Sequence, residues 1–198
     1  MLRFRLIRMI LQLLTFRLPV YLPGMAPIPM PEKFQIFSYL PEDSLFQSRL
    51  IKAYQIIFSE PPWEEEWPEE VVLAKLQQEL KGDSFLVIMQ GDEKYPVGGF
   101  SWGAVISIRE LEERIARTLN TSPKGLKEIL QKQRINRLLY FDEFAILPPF
   151  RSRIEPIRFL LRPGLELGYK FGVYQTLFWS TPKSKIVSIA LSVGYQPI

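Results

Sequence analysis

The spacing of apolar residues along the chain predicts a mixture of strands and helices. Residues 34–37 alternate between apolar and polar and indicate a first strand. Farther on, apolar side chains three or four positions apart predict a helix that ends before Pro61. We expect it to start at Ser44, because Gln47 three positions later completes a capping-box pattern. A second helical pattern occupies residues 69–80.

The rest of the chain predicts four strands and four helices. Two strands at residues 84–90 and 97–107 are followed by a pair of helices within 109–134. A strand at 138–147, a helix from about 156, a strand at 176–180 and a helix at 183–192 complete the order. Gly91 and Asp92 suit a hairpin turn between the first two of these strands. Pro163 followed by Gly164 should break or kink the helix that contains them. This order favours one mixed sheet with helices packed on it.

The first 33 residues differ in character from the remainder. The uncharged run Met9–Phe16 is only eight residues long, whereas a membrane-spanning helix needs about 20. Residues 18–32 contain five prolines and are typical of a linker. We therefore expect residues 1–33 to be a basic, apolar extension and residues 34–198 to be the folded domain. The extension could be an amphipathic helix on a membrane or another protein, but we favour a non-native extension translated from an upstream start codon, with Met25 or Met30 as the true start.

Two missing residue types restrict the chemistry. The chain has no cysteine and no histidine, which excludes disulfides, thiolate catalysis, Ser-His and Cys-His mechanisms and the usual zinc sites. Any catalysis must then use carboxylates, Tyr, Lys, Ser or backbone groups, and we expect no metal. The net charge of +4 combines separate basic and acidic stretches, and the few basic residues lie beside acidic ones, so we expect no nucleic-acid binding.

Several sequence blocks occur in a familiar order. They are Tyr54–Trp63, Val97–Trp102, Leu139–Leu147 with Pro148-Pro149-Phe150-Arg151, Gly172 with 176–181, and Gly194-Tyr195. In this order the chain resembles the GNAT acetyltransferase superfamily. The resemblance implies an α/β (α+β) fold with a GNAT-like central mixed, mostly antiparallel sheet flanked by helices on both faces. Residues 109–135 would then be a helical insertion.

The resemblance also implies acetyl-CoA as co-substrate. In the family a splayed strand pairs with the pantetheine arm, and the following loop and helix start bind the pyrophosphate. The residues implied to contact the donor are Ala145, Ile146, Leu147, Arg151, Ser152, Arg153, Ile154 and Glu155. Ile154 and Pro156 stand where the family has glycines that let phosphates approach the backbone.

Glu143 stands in the predicted strand where many GNAT members keep a carboxylate base. It could instead pair within the sheet, and the sequence does not decide between these roles. We expect its side chain to share a face with Leu139, Phe141 and Ala145, by simple alternation. Trp63 and Trp102 are the residues that we expect to contact the acceptor.

The resulting functional hypothesis is a cytoplasmic N-acyltransferase that moves an acetyl group from acetyl-CoA to an amine of a small molecule or protein. Two alternatives remain: a GNAT-shaped binding module without turnover, and an acyltransferase with a carrier-protein donor. Ala190 replaces the tyrosine that the family uses as an acid, which favours the first alternative. Whether the chain forms a homodimer, and whether its N-terminal segment touches a membrane or a protein, stays open.

Overall fold

A seven-stranded mixed sheet forms the centre of the fold. The structure is a computed structural model, and it describes residues 12–17, 29–119, 125–151, 155–180, 187, 191 and 196–197. Its strands are β1 (Gln12–Arg17), β2 (Phe34–Phe37), β3 (Ser84–Gln90), β4 (Val97–Ser107), β5 (Arg137–Ile146), β6 (Gln175–Ser180) and β7 (Gln196–Pro197). They lie in the order β2-β3-β4-β5-β6-β1-β7. Among the described strands only β5 and β6 run parallel, so the predicted mixed, mostly antiparallel sheet is confirmed.

Helices cover both faces of this sheet, as predicted. They are α1 (Ser44–Phe58), α2 (Glu69–Glu79), α3 (Ile108–Leu119), α4 (Leu126–Lys132) and α5 (Glu155–Lys170). The first four pack on one face, against β-strand side chains such as Leu86 and Tyr140. Helix α5 packs on the other face, against Val87 and Leu139. We call these the α1 face and the α5 face. The helix predicted at 183–192 lies outside the described residues except for positions 187 and 191.

The start of α1 differs by one residue from the capping-box prediction. Asp43, not Ser44, is the cap, and its carboxylate accepts from the backbone N–H groups of Leu45 and Phe46 at 2.8 and 3.0 Å. The side chain of Gln47 donates to the carbonyl of Pro41 at 2.7 Å instead of closing a capping box. An aspartate at this position satisfies two of the free N–H groups and is favoured by the helix dipole.

The N-terminal segment was predicted to lie outside the folded domain, and that is wrong for part of it. Gln12–Arg17 is a strand that pairs antiparallel with all six residues of β6 and with Gln196–Pro197 on its other side. Sheet pairing satisfies backbone groups whatever the side chains, so the charge of Arg17 does not prevent it. Within the described ranges, no helix combines the length and apolar character that a bilayer span requires.

Helix α5 continues through Pro163 and Gly164. Of the predicted break or kink, the break is therefore wrong, and the kink stays a prediction. Both residues are buried against the sheet. A Cβ atom on Gly164 would lie 2.6 Å from the ring of Phe85 and 2.9 Å from that of Phe141. The glycine therefore allows α5 to approach the sheet closely, and the resulting packing offsets the helix bond that the proline removes.

Candidate active site

A β-bulge in β5 decides which side chains reach the α1 face. In the ladder with β4, Trp102 lies opposite Glu143 and Gly103 lies opposite Phe141, which leaves Asp142 as the extra residue. The bulge resets the alternation, so Asp142 and Glu143 both project from the α1 face. Leu139 and Phe141 project from the α5 face. The expectation that these two residues share a face with Glu143 is therefore wrong, whereas Ala145 does share it.

Glu143 is held by one residue from each of the first two helices. The Tyr54 hydroxyl on α1 donates to Glu143 Oε1 at 3.1 Å. The ammonium of Lys75 on α2 lies 3.2 Å from the same oxygen. The Glu143 side chain is only 11% exposed. Among the described residues no bond to its second oxygen, Oε2, is seen, so that oxygen is available to accept a proton.

This environment raises the pKa of all three groups. Burial raises the pKa of Glu143 from 4.5 to about 7, although Lys75 opposes the rise. Burial acts to lower the pKa of Lys75, but Glu143 and Glu79 outweigh it and raise that pKa above its usual value. Burial, and then the Glu143 carboxylate, raise the pKa of Tyr54, so its hydroxyl stays protonated and remains a donor. A buried carboxyl that titrates near neutrality suits a general base.

A larger buried network extends from this carboxylate. Lys75 pairs with Glu79 at 2.7 Å, and the indole N–H of Trp102 donates to Glu79 at 2.8 Å. Arg114 on α3 pairs with Asp142 and so joins a third helix to the bulge. Acidic side chains are numerous here, but within the described part of the chain no group of three or more is arranged to hold a metal ion.

Trp102 does not lie where a residue in contact with the acceptor would have to be. It is fully buried, with 0% of its surface exposed, and its one polar atom is bonded to Glu79. Direct contact with an acceptor is excluded in this arrangement. The bulge explains the position: Trp102 lies opposite Glu143, on the covered α1 face. Its role here is to hold Glu79, which in turn holds Lys75.

Strands β5 and β6 separate beside Glu143. Their parallel pairing covers only residues 139–141 of β5 and 176–178 of β6, although β5 continues to Ile146. Leu147 donates its N–H to Gly98 on the β4 side. Because backbone groups of successive residues point to opposite sides of a strand, those of Ile146 and Phe144 point toward the gap. Of the predicted donor residues, Ile146 offers its backbone N–H there, since its carbonyl accepts from Arg151, whereas the backbone groups of Ala145 and Leu147 face β4.

The loop after β5 is anchored by Arg151. Its Nε donates to the carbonyl of Ile146 at 2.7 Å, and its Nη2 lies 3.0 Å from a carboxylate oxygen of Glu60 at the end of α1. Ser152, Arg153 and Ile154 lie outside the described residues. Glu155 is the exposed first residue of α5 and Pro156 is buried directly after it. Proline has no N–H, so the helix start offers one donor fewer to an anion.

Comparison with known proteins was made by sequence and by structure. No protein-family model and no curated protein matches the sequence. A GCN5-related N-acetyltransferase from Sphaerobacter thermophilus matches in structure with a TM-score of 0.51 and 14% identity, over 95% of this chain and 48% of its own. AAC(6')-Iy, solved with the bisubstrate analogue CoA-S-monomethyl-acetylneamine, matches with a TM-score of 0.50 and 15% identity, over 82% of this chain and 90% of its own. This protein has the GNAT fold.

A third match agrees with the same fold. A tandem GNAT protein from the clavulanic acid biosynthesis pathway gives a TM-score of 0.50 and 10% identity over 94% of this chain and 50% of its own. The chain thus spans about half the length of this protein and of the Sphaerobacter thermophilus one. The predicted resemblance to the GNAT superfamily is confirmed at the level of the fold.

Within the GNAT fold, Trp63 belongs to an aromatic group beside the Glu143 network. The ring of Trp63 packs on Phe58 with centroids 5.5 Å apart. Trp67 meets Tyr54 edge-on at 5.5 Å, and its indole N–H donates to Glu65 at 3.0 Å. The partly buried Trp63 is therefore close in sequence and in packing to the tyrosine that holds Glu143. This location leaves the predicted acceptor role of Trp63 as a proposal.

The sequence did not reveal the residues that hold Glu143 in this GNAT fold. Tyr54 has the spacing of an ordinary core residue on α1, and it is indeed 1% exposed. Lys75 adjoins the buried Leu76 on α2, and the pair Lys75–Glu79 has the four-residue spacing of a common surface ion pair. The one feature of the sequence that could have pointed to Lys75 is its position next to a buried residue of the helix.

Proposed function

We propose that this protein is an N-acyltransferase that moves an acetyl group from acetyl-CoA to an amine. The observation that carries the proposal is the position of Glu143, a buried carboxyl held by Tyr54 and Lys75 next to the point where β5 leaves β6. The GNAT fold supports it, as does the match to a protein solved with a CoA-linked analogue. A cytoplasmic location belongs to the same proposal, because acetyl-CoA would have to reach the site.

In this proposal Glu143 is the base. Its Oε2 takes a proton from the acceptor ammonium, while Tyr54 and Lys75 hold Oε1 and fix the orientation of the carboxylate. The neutral amine nitrogen attacks the thioester carbonyl carbon, an N–C bond forms, and the C–S bond breaks. The nitrogen then loses its second proton to solvent, and the sulfur leaves as a thiolate that is protonated from solvent. Because burial raises the pKa of Glu143 to about 7, the carboxyl can both take up and lose a proton near neutral pH.

The donor would lie along the free edge of β5. The backbone N–H and carbonyl of Phe144 and the N–H of Ile146 point to the gap between β5 and β6, where an extended amide-containing arm can pair with them. Acetyl-CoA supplies the activated acyl group and this arm. The described residues fit that part of the molecule. For its phosphates, Arg151 is the available cation, provided that it exchanges Glu60 for the anion.

The acceptor is proposed to be a cationic amine. The loop between α1 and α2 carries acidic residues together with Trp63 and Trp67, which pack beside the Glu143 network. Carboxylates attract an ammonium, and aromatic faces stabilise it through cation–π contact. Small-molecule and protein amines both satisfy this chemistry.

A second candidate is a GNAT-shaped binding protein without turnover. The observation in its favour is that the charges of the site are already paired: Arg151 with Glu60, and Glu143 with Lys75. A purely structural network would look the same. A carrier-protein donor is a variant of the first candidate, in which Arg151 would meet the phosphate of the carrier's arm.

The test combines calorimetric titration of acetyl-CoA with measurement of the CoA thiol released in the presence of amines. The chain has no cysteine, so a thiol reagent reports released CoA without background from the protein. We expect binding, amine-dependent release, and a loss of about 10²–10⁴ in rate for Glu143→Gln. Glu128→Gln on the exposed side of α4 is the matched control and should keep full activity. Binding without release for any amine would favour the non-catalytic candidate, and no binding would favour the carrier-protein donor.

A further inference from the structure

A cavity lies on the α1 face, away from the Glu143 network. Its volume is about 280 Å³, which is close to the lower end of the roughly 300–1,000 Å³ of small-molecule sites. One wall is the outer side of α1, and the other is the turn between β3 and β4. The buried side chains of Ala53, Val97 and Leu147 form its apolar floor. Of the residues discussed for the acyl donor, only Leu147 also lines this cavity.

The rim of the cavity is basic. Arg49 and Lys52 reach it from α1, and Lys94 reaches it from the β3–β4 turn. Among the described residues these three have no carboxylate partner, whereas Arg109, Arg137, Arg151 and Arg162 each have one. Glu93 is the one acidic residue on the rim, so the cavity keeps a positive excess. Three cations around one concave surface attract an anion by their summed field.

The wall opposite α1 is rigid, so the cavity is preformed. Asp92 accepts from the backbone N–H of Tyr95 at 2.7 Å, and two backbone bonds of 3.0 Å close the turn from Gly91 to Pro96 and from Asp92 to Tyr95. Gly91 has no room for a side chain, because a Cβ would lie 1.9 Å from the carbonyl oxygen of Tyr95. A rigid wall lowers the ordering cost of binding.

We propose that this cavity binds a small amphiphilic anion, with a phosphate or carboxylate group on the basic rim and an apolar body on the floor. The assignment is independent of the proposed acetyl transfer, since the cavity contains neither Glu143 nor Arg151. The floor accounts for the apolar body, because Val97 and Leu147 offer no polar side-chain atom. The rim accounts for the sign of the head group.

The experiment titrates the full chain calorimetrically with octyl phosphate, octanoate, octanol and inorganic phosphate. We expect at least one of the two amphiphilic anions to bind about tenfold or more tightly than octanol and than inorganic phosphate. Preference between octyl phosphate and octanoate identifies the head group. Equal affinity for octanol, or for inorganic phosphate, would overturn the proposal.

Two variants locate the binding. Arg49→Gln combined with Lys52→Gln should weaken the preferred anion about tenfold or more, with octanol unaffected. Lys127→Gln combined with Lys132→Gln makes the same charge change on the exposed side of α4 and should leave the affinity unchanged. Unchanged affinity in the first variant would refute the site. Displacement of the bound anion by coenzyme A would assign the cavity to the donor site and would equally overturn the proposal.

Discussion

Asp142 and Glu143 are consecutive residues of β5, yet both side chains project from the same face of the sheet. In a regular strand one of them would lie under α5, among apolar side chains. The bulge opposite Trp102 and Gly103 instead gives Asp142 to Arg114 and Glu143 to Tyr54 and Lys75. One inserted residue thus places two carboxylates in a network that three helices share, beside the gap between β5 and β6.

Lys75 should set the pH at which Glu143 acts. Its ammonium favours the charged carboxylate and lowers the Glu143 pKa, which burial alone would raise beyond about 7. We therefore predict that Lys75→Met raises the Glu143 pKa by about one unit or more, since an opposite charge at this distance shifts a carboxyl by 1–3 units. The acid limb of the rate profile, and the titration of Glu143 followed by NMR, should both move to higher pH.

Lys75→Arg is the control for this effect, because it keeps the charge and should leave the limb near its original position. Lys81→Met removes a charge from an exposed residue just after α2 and should move nothing. If the acid limb of the pH–rate profile has the same position in Lys75→Met, the lysine only joins α2 to the sheet.

Glu143 should also make stability depend on pH. Its pKa is raised in the folded state from 4.5 to about 7, so between these values the folded protein holds a proton that the unfolded chain has lost. The free energy of unfolding should therefore fall as pH rises through this window, by roughly 3 kcal/mol for this group. Glu143→Gln removes the titration. We predict that urea unfolding at pH 5 and pH 7.5 shows a smaller fall for the variant than for the original protein.

The comparison is a difference between two proteins, so groups that do not interact with Glu143 contribute to both and cancel. Asp142 adds to the difference in the same direction, because the Glu143 charge also raises the pKa of Asp142. Equal falls for the two proteins would mean that Glu143 does not carry the raised pKa.

The order of strands and helices could be predicted because most elements keep a regular apolar spacing. Glu143 could be found because it interrupts an apolar strand. Its partners could not: Tyr54 and Lys75 come from distant parts of the chain, and their positions look like core and surface positions of ordinary helices. The bulge at Asp142 forms where β5 pairs with Trp102 and Gly103 of β4. It breaks the alternation that was used to assign side chains to the two faces of the sheet. The strand Gln12–Arg17 was missed because its partners, β6 and β7, lie at the far end of the chain.

That strand has a measurable consequence. Deleting residues 1–17 would remove β1 from between β6 and β7 and leave both with unpaired backbone groups. We predict a loss of about 3 kcal/mol or more, which lowers Tm by roughly 6–12 °C for a chain of this size. Deleting residues 1–9 keeps the whole strand and is the matched control, with a much smaller expected effect. Equal melting of both truncations and the full chain would support the view that residues 1–33 lie outside the domain.

The contact between Arg151 and Glu60 offers the sharpest test of the donor site. The pair joins the loop after β5 to the end of α1, with the two charges 3.0 Å apart and the arginine half exposed. If Arg151 binds the phosphates of the donor, Glu60 competes with them. We predict that Arg151→Ala weakens acetyl-CoA binding about tenfold or more, because a charge-assisted bond contributes about 1.5–3 kcal/mol. Glu60→Gln should strengthen binding, because it releases the guanidinium.

Opposite effects of the two substitutions are what distinguish donor binding from a structural role. An exposed ion pair contributes only about 0–1 kcal/mol to folding, so neither variant should unfold, and thermal melting checks this. Arg137→Ala breaks a comparably exposed pair with Asp83 at 2.8 Å and should leave acetyl-CoA affinity unchanged. If Arg151→Ala and Glu60→Gln change the affinity in the same direction, or not at all, Arg151 serves only to hold the loop to α1, and the phosphates must find their cations elsewhere.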